Sequence, residues 1–214
     1  MKLGEISAHF ESGSNKRSVG TISYNKSDPG GKSYGKFQIA IRPGTLKKYL
    51  AWSVFNQEFK EVNPGTEEFD AVWKRLAEEK PAEFEEDQFQ FIKVTHYDPV
   101  ARLAKEFGFD TEDRAIQEAL FSIGVQHGRY AVIIKRAARL RSSGSTDDID
   151  NLYEARKEYV QGLVLPANIK ASLMNRYYNE SLMVHLYSQN TQYEIESLLK
   201  EFPQKHQTTA DNTK

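Results

Sequence analysis

The sequence of 214 residues contains no cysteine. Disulfide bonds, thiolate metal ligands and a cysteine nucleophile are therefore excluded. The chain also lacks any apolar run that approaches the roughly 20 residues needed to cross a bilayer. Its first residues, MKLGE, lack the apolar core of a secretory signal peptide. We expect a protein without a membrane span that is made in the cytoplasm without a signal peptide.

An excess of charge of either sign is missing as well. The 29 basic and 30 acidic residues leave a formal net charge of -1. This balance creates no overall field that attracts nucleic acid or an anionic membrane, so no nucleic-acid partner is expected. The 5 histidines have no HExxH or other paired-ligand spacing, and we expect no bound metal and no cofactor.

Hydrophobic patterning predicts a mainly helical α+β fold with a small β-hairpin near the N-terminus. Residues 3–11 carry apolar side chains on one face of a helix, whereas 19–25 and 33–41 favour two strands with a glycine-rich connection. From residue 44 onward the apolar spacing is helical. A long helix is predicted over 111–141, and its centre, Gly124 to Gly128, indicates a kink or a close packing contact. Three further helices are predicted over 147–162, 166–187 and 191–202.

The chain has no internal repeat and no linker that marks a domain boundary. Its length suits one sizeable domain or two small lobes. We therefore expect a single domain over residues 1–202. The polar segment 203–214 begins with a proline and is expected to be a disordered tail.

Some conspicuous side chains are assigned to structure only. Trp52 and Trp73 stand at helical spacing and are expected in the core. Arg176 and Glu180 form an i,i+4 pair on a predicted helix, and such a pair needs no functional role.

Glu11 is the first candidate for chemistry. It ends the first predicted helix beside Phe10, where the helix dipole disfavours a negative charge. Partial burial there would also raise its pKa, as a general acid requires. Taken alone, a solvated glutamate at a helix end is the simpler interpretation.

Asp28 is the second candidate. It precedes a proline, which keeps its backbone extended, and the two glycines that follow leave room for a substrate. The Asp-Pro-Gly sequence alone is typical of a turn. A carboxyl at a helix end together with one in a loop is, however, the pair needed to flank a glycosidic bond.

Two N-terminal motifs, 10–13 (FESG) and 27–39 (SDPGGKSYGKFQI), resemble the lysozyme-like muramidase domains of phage endolysins and of type VI secretion spike proteins. That group is similar in turn to the family 46 chitosanases. Softer matches follow at 69–73 (FDAVW), 96–99 (HYDP) and 125–128 (VQHG). The resemblance therefore covers about residues 3–180.

The resemblance implies a lysozyme-like fold with two lobes around a cleft, and a role for three residues. Glu11 would be the general acid, Asp28 the general base, and Ser33 a hydroxyl that holds the attacking water. The chitosanases typically carry threonine at the position of Ser33, which bears on the substrate more than on the mechanism. An inverting reaction would place the two carboxyls about 6.5–9.5 Å apart.

Five further side chains are candidates for substrate binding: Tyr24, Tyr34, Gln38, Gln126 and His127. The tyrosine rings can stack on sugars or simply pack against the protein. Gln38 can bind an N-acetyl group or face solvent. Gln126 and His127 stand where the long helix is interrupted, either at the cleft or, for the histidine, as a structural cap.

The sequence leaves three functions open. A muramidase acting on peptidoglycan leads, a chitosanase is the alternative within the same reaction class, and a non-catalytic wall-binding module on a lysozyme scaffold is the third. Because peptidoglycan lies outside the cytoplasm, we expect action at the bacterial cell wall, in the periplasm, after delivery. A holin or a secretion spike is the expected delivery partner, and an immunity protein is a further possible partner.

Overall fold

The computed structural model describes residues 3–11, 18–24, 31–42, 44–127, 130–189 and Ser197. The predicted class is confirmed, because the described chain is mainly helical with a small antiparallel sheet near its N-terminus. The elements are α1 (Glu5–Glu11), β1 (Ile22–Ser23), β2 (Ser33–Tyr34), β3 (Ile39–Ala40), α2 (Thr45–Trp52), a 3-10 helix (Asn56–Phe59), α3 (Glu67–Glu79), α4 (Pro81–Ile92), a π-helix (Lys93–Tyr97), α5 (Asp98–Glu106), α6 (Arg114–Gln126), α7 (Tyr130–Ser142), α8 (Asp148–Gln161) and α9 (Ala167–Gln189).

The sheet has three strands in the order β1-β2-β3, not the two of a simple hairpin. Tyr34 pairs with Ile22 on one side and with Ile39 on the other. The strand predicted over 33–41 is interrupted by a turn, which begins at Gly35 (φ 74°) and ends at Gln38 (φ 52°). These two left-handed residues reverse the chain, so the single predicted strand becomes β2 and β3.

Capping residues mark the starts of α3 and α8. Thr66 accepts a hydrogen bond from the amide of Phe69 at the start of α3, and Asp147 caps α8 in the same way. The helix predicted over 111–141 is broken into α6 and α7, because the backbone is extended at His127. The predicted helix over 191–202 and the tail over 203–214 lie outside the described residues, apart from Ser197.

The chain divides into two compact units, and the N-terminal residues belong with the C-terminal half. The first unit comprises Met1–Ser14 and His96–Lys214, and the second comprises Asn15–Thr95. Sequence periodicity did not reveal this division, because it depends on contacts between residues far apart in the chain. The expected cleft stays a prediction.

Trp73 is at the centre of the second unit. Its side chain is fully buried, and its ring centroid lies 5.1 Å from that of Tyr34 and 4.8 Å from that of Phe84. The indole N–H donates to the carbonyl of Val19 at 3.0 Å. The assignment of Trp73 to the core is therefore confirmed. Trp52 instead lies at the surface, with 43% of its area exposed.

The core of the first unit is built around α6, whose residues 115, 116 and 118–124 are all buried. This helix packs against α1, α5, α8 and α9. None of the helices in the described part of the chain is long and apolar enough to cross a membrane.

Trp73→Ala is expected to lower the free energy of unfolding by about 3–5 kcal/mol, because it leaves a cavity in an aromatic core. Trp73→Phe keeps a ring but loses the hydrogen bond to Val19, and should cost about 1–2 kcal/mol. Trp52→Ala is the matched control and should cost less than Trp73→Ala. Urea unfolding of the three variants measures this order, and equal losses at positions 52 and 73 would contradict it.

Candidate active site

Of the two predicted catalytic residues, the structure describes only the backbone of Glu11. Glu11 is the last residue of α1, but its side chain lies outside the described part of the structure, as does Asp28 with residues 25–30. The separation of the two carboxyls stays a prediction.

Ser33 and Gln38 are brought together by the turn between β2 and β3. Ser33 is 8% exposed, and its hydroxyl donates to the side-chain oxygen of Gln38 at 3.2 Å. The amide nitrogen of Gln38 donates in turn to the carbonyl of Gly35 at 2.9 Å. Gln38 is the one described residue other than glycine with a positive φ. Such backbone strain persists where surrounding contacts fix it, and it is frequent at functional sites.

This hydrogen bond defines what the Ser33 hydroxyl can do. The hydroxyl has one hydrogen and two lone pairs. Because the hydrogen is donated to Gln38, the lone pairs remain available to accept a hydrogen bond from a water molecule. The structure favours neither of the two alternatives for Gln38, solvent exposure or contact with an N-acetyl group. The Gln38 side chain instead forms hydrogen bonds with Ser33 and with the carbonyl of Gly35.

Asp70 of α3 holds the start of β2. One of its oxygens accepts from the ammonium of Lys32 at 2.7 Å, and the other accepts from the hydroxyl of Tyr34 at 2.8 Å. Lys32 also donates to the carbonyl of Gly65 at 2.8 Å. Since side chains alternate across a strand, Asp70 binds the residues on both sides of Ser33 and leaves the opposite face to Ser33.

The two tyrosine candidates have different surroundings. Tyr34 has no exposed surface, and its ring packs 5.1 Å from those of Phe69 and Trp73. Burial raises its pKa, as does the hydrogen bond to Asp70, so it is a neutral donor. Of the two alternatives for Tyr34, stacking on a sugar or packing against the protein, this burial favours packing. Tyr24 is 62% exposed, so its ring is accessible.

Gln126 and His127 end α6 and make contacts inside the first unit. The side-chain oxygen of Gln126 accepts from Arg156 at 2.7 Å. The His127 ring is buried and lies 3.2 Å from the hydroxyl of Tyr177. Burial, together with the charges of Arg156 and Arg176, lowers the pKa of His127 to about 3, so this ring is neutral. These contacts favour the structural alternative for His127.

The partner of Gln126, Arg156 of α8, is a buried cation. The side chain has no exposed surface, and its guanidinium lies 5.0 Å from the ring centroid of Tyr153 and 4.3 Å from that of Tyr177. It donates to Ser122 at 3.0 Å and to Glu180 at 3.1 Å. We call this group the Arg156 cluster: Ser122, Gln126, Tyr153, Arg156, Arg176, Tyr177 and Glu180.

Glu180 is the anion of the Arg156 cluster. It accepts from Arg156, from Arg176 at 3.2 Å and from the hydroxyl of Tyr153 at 3.0 Å. Burial would raise its pKa, but the charges of Arg156 and Arg176 outweigh burial and hold the pKa well below its ordinary value. The predicted i,i+4 pair is confirmed, but it is part of a larger buried cluster that the local spacing did not reveal.

Comparison with known proteins places the sequence in a family. The family described as type VI secretion system spike protein VgrG3-like, C-terminal, matches residues 3–181. The chain belongs to this VgrG3-like family. The spike protein VgrG3 of Vibrio cholerae serotype O1 is 37% identical over 150 residues, which are 69% of this chain and 15% of that protein. The chain thus spans a small part of the length of the curated relative it matches.

The fold of this VgrG3-like chain is also that of a chitosanase. The native chitosanase of Bacillus subtilis MY002 aligns with a TM-score of 0.53 and 17% identity, over 91% of this chain and 93% of that one. A mutant of the same enzyme in complex with six GlcN units aligns with a TM-score of 0.55, 15% identity and the same coverage. The predicted resemblance to spike proteins and to the chitosanase fold is confirmed, whereas the resemblance to phage endolysins stays a prediction.

One group among the described residues of the VgrG3-like chain has the composition of a metal site. Asp147, Asp150 and His185 offer three ligand atoms within 4.8 Å of one another. His185 and Asp150 already form a hydrogen bond of 2.9 Å, and Asp147 caps α8. The amino end of α8 favours anions and disfavours a cation. We therefore assign no metal to this group.

Glu180→Gln is expected to lower the free energy of unfolding by about 3–5 kcal/mol, because it leaves the buried Arg156 charge uncompensated. The depressed pKa of Glu180 contributes stability above its ordinary value of 4.5, and this contribution is lost as the pH falls. The variant should therefore have a flatter acid limb in a plot of stability against pH. Glu154→Gln, which removes the exposed partner of Lys157, is the control and should change little; equal losses would contradict the assignment.

Proposed function

We propose that the chain is a glycoside hydrolase that cleaves the glycan strands of bacterial peptidoglycan, as a muramidase does, with inversion. The observation that carries the proposal is that a member of the VgrG3-like family shares the fold of a chitosanase over 91% of its length. The motifs around Glu11 and Asp28 support the same chemistry, because two carboxyls are needed to flank a glycosidic bond.

In the proposed reaction, Glu11 donates a proton to the glycosidic oxygen as the bond to the anomeric carbon breaks. Asp28 takes a proton from a water molecule, whose oxygen attacks that carbon from the opposite face. The sugar leaves with an inverted configuration, Glu11 is then ionised and Asp28 protonated, and proton exchange with solvent restores both. The atoms balance without a cofactor.

Ser33 orients the water in this scheme. A water molecule has two hydrogens, and in the proposed geometry one is donated to Asp28 and the other to the Ser33 hydroxyl. Ser33 can accept because its own hydrogen is donated to Gln38. The water then directs a lone pair away from both residues and towards the anomeric carbon.

Peptidoglycan is favoured over chitosan because the family is named for a secretion spike protein, a carrier that suits delivery to the cell wall of another bacterium. Action in the periplasm after delivery, with the spike as delivery partner, is part of the proposal, and an immunity protein would be its natural antagonist. Chitosanase activity is the second candidate, since the matched structures are of a chitosanase. A non-catalytic wall-binding module would need neither Glu11 nor Asp28.

Glu11→Gln and Asp28→Asn are each expected to lower turnover about 100- to 10,000-fold, because neither amide can transfer the required proton. Binding to the wall should persist, since the shape of each side chain is kept. Mass spectrometry of purified wall after digestion should find reducing N-acetylmuramic acid ends with the wild type. More than half the wild-type rate in Glu11→Gln would exclude Glu11 as the acid, and turnover of chitosan alone would favour the second candidate.

Ser33→Ala is expected to lower turnover about 5- to 150-fold, equivalent to about 1–3 kcal/mol for one orienting hydrogen bond. Ser33→Thr should retain much of the activity, because it keeps the hydroxyl. Both effects should be smaller than that of Asp28→Asn, which removes the base. Turnover and melting temperature are measured together on one wall preparation, and a wild-type rate in Ser33→Ala would remove Ser33 from the mechanism.

A further inference from the structure

A second buried carboxylate in the first unit belongs to Glu118 of α6, outside the Arg156 cluster. It is 1% exposed. One oxygen accepts from the amide of Gly4 at 2.9 Å, and the other accepts from the amide of Ile6 at 3.4 Å. The first amides of a helix have no acceptor within the helix, so Glu118 supplies acceptors at the start of α1.

The start of α1 is fixed by shape as well as by these hydrogen bonds. Gly4 has a φ of 86°, and a Cβ atom there would overlap the ring of Phe121. Burial holds the first turn of the helix too, because Ile6 and Ser7 are each 1% exposed. A shift of α1 along its axis would therefore break hydrogen bonds and create overlaps at the same time.

Glu11 is the other end of this short helix. A rise of about 1.5 Å per residue puts its backbone about 9 Å from that of Glu5. A single helix of 7 residues is stiff over that length, so a displacement at its start is transmitted to its end.

We propose that Glu118 is a positioning residue that holds α1 in place and thereby sets the position of Glu11. The inference rests on the proposed function, in which Glu11 is the general acid. Glu118 does not touch the substrate in this role and acts through the backbone of α1.

The charges around Glu118 give the proposal a pH signature. Burial raises the pKa of Glu118 to about 7, although the amides of Gly4 and Ile6 and the charge of Arg114 act in the opposite direction and Glu5 adds to the rise. Tyr97, on the π-helix, interacts electrostatically with Glu118 and is itself neutral, because burial raises the pKa of its hydroxyl to about 12. The docked helix therefore binds a proton more tightly than an undocked one, whose Glu118 is hydrated. Docking is strongest below about pH 4.5 and weakens as the pH rises through about 7.

Glu118→Gln and Glu118→Ala test the proposal. Glutamine keeps one acceptor and alanine none, so kcat should fall in the order wild type, Gln, Ala, with KM within about twofold. A misplacement of about 1 Å can cost about 100-fold, and we expect a loss of about 10- to 100-fold for alanine. Gly4→Ala disturbs the same contact from the α1 side and should lower kcat in the same way. It provides the test if the Glu118 variants do not fold.

Asp147→Ala is the matched control. Asp147 is also a carboxylate that accepts from a backbone amide at a helix start, but it caps α8. It should lower the melting temperature while kcat stays at the wild-type value. A kcat loss in Asp147→Ala that matches the one in Glu118→Ala at equal melting temperature would overturn the inference, since general destabilisation would then explain both.

Hydrogen exchange of the α1 amides separates this inference from the proposed function. The opening free energy of α1 in the wild type should fall between pH 5 and pH 8, whereas that in Glu118→Gln should be independent of pH and lower than that of the wild type at pH 5. If the wild type does not cut wall glycan but Glu118→Gln still loosens α1, the proposed function fails and the helix contact stands. If the wild type cuts glycan and the Glu118 variants leave α1 exchange and kcat unchanged, the inference alone is overturned.

Discussion

The buried ion pair between Arg156 and Glu180 is the interaction on which the first unit depends. Removing two charges from water costs several kcal/mol for each ion, and mutual attraction repays this only with good geometry and further hydrogen bonds. Arg156 has 0% and Glu180 1% of its side chain exposed, so nearly the full cost applies. The compensating hydrogen bonds join three helices: α6 supplies Ser122 and Gln126, α8 supplies Arg156, and α9 supplies Glu180. Any rearrangement of these helices would leave a buried charge without its partners.

Among the described residues of the second unit, a buried carboxylate is paired with neutral donors and not with a buried cation. Asp87 of α4 is buried, and it accepts hydrogen bonds from the hydroxyls of Tyr49 and Ser53 and from the amide of Val54. These neutral donors satisfy the carboxylate at the edge of an aromatic core around Trp73. Packing sets the geometry of an aromatic core, whereas charge pairing sets that of the Arg156 cluster. The second unit is therefore sensitive to the loss of a ring, and the first unit to the loss of a charge.

Local features of the fold could be predicted from the sequence, and features that depend on distant contacts could not. Apolar periodicity was sufficient to predict α1, α8 and α9, and the glycines at positions 124 and 128 were sufficient to indicate the break between α6 and α7. The turn that ends at Gln38 was missed because a positive φ is rare outside glycine. The sequence left the burial of Tyr34 open as one of two alternatives, because its partner Asp70 lies 36 residues away in sequence.

The same limit applied to the candidate site. Ser33 and Gln38 were found from a motif, but their mutual hydrogen bond depends on the unpredicted turn between them. Arg176 and Glu180 were paired because they are 4 residues apart, whereas Arg156 lies 24 residues from Glu180. A usable signal for the Arg156 cluster was nevertheless present on α6.

That signal is a polar stripe along an otherwise apolar helix. Glu118, Ser122 and Gln126 occur at i, i+4 and i+8 of α6, and residues at this spacing lie on one face of a helix. A solvated face would explain the stripe if the surrounding positions were polar, but the residues between them are apolar or glycine, and all except Val125 are buried. Polar side chains in such a place need partners, because an unpaired buried polar group costs about 1–3 kcal/mol. Here the partners are the start of α1 for Glu118 and the Arg156 guanidinium for the other two. The helix that organises the core of the first unit is therefore also the helix that holds α1, and through α1 the backbone of Glu11.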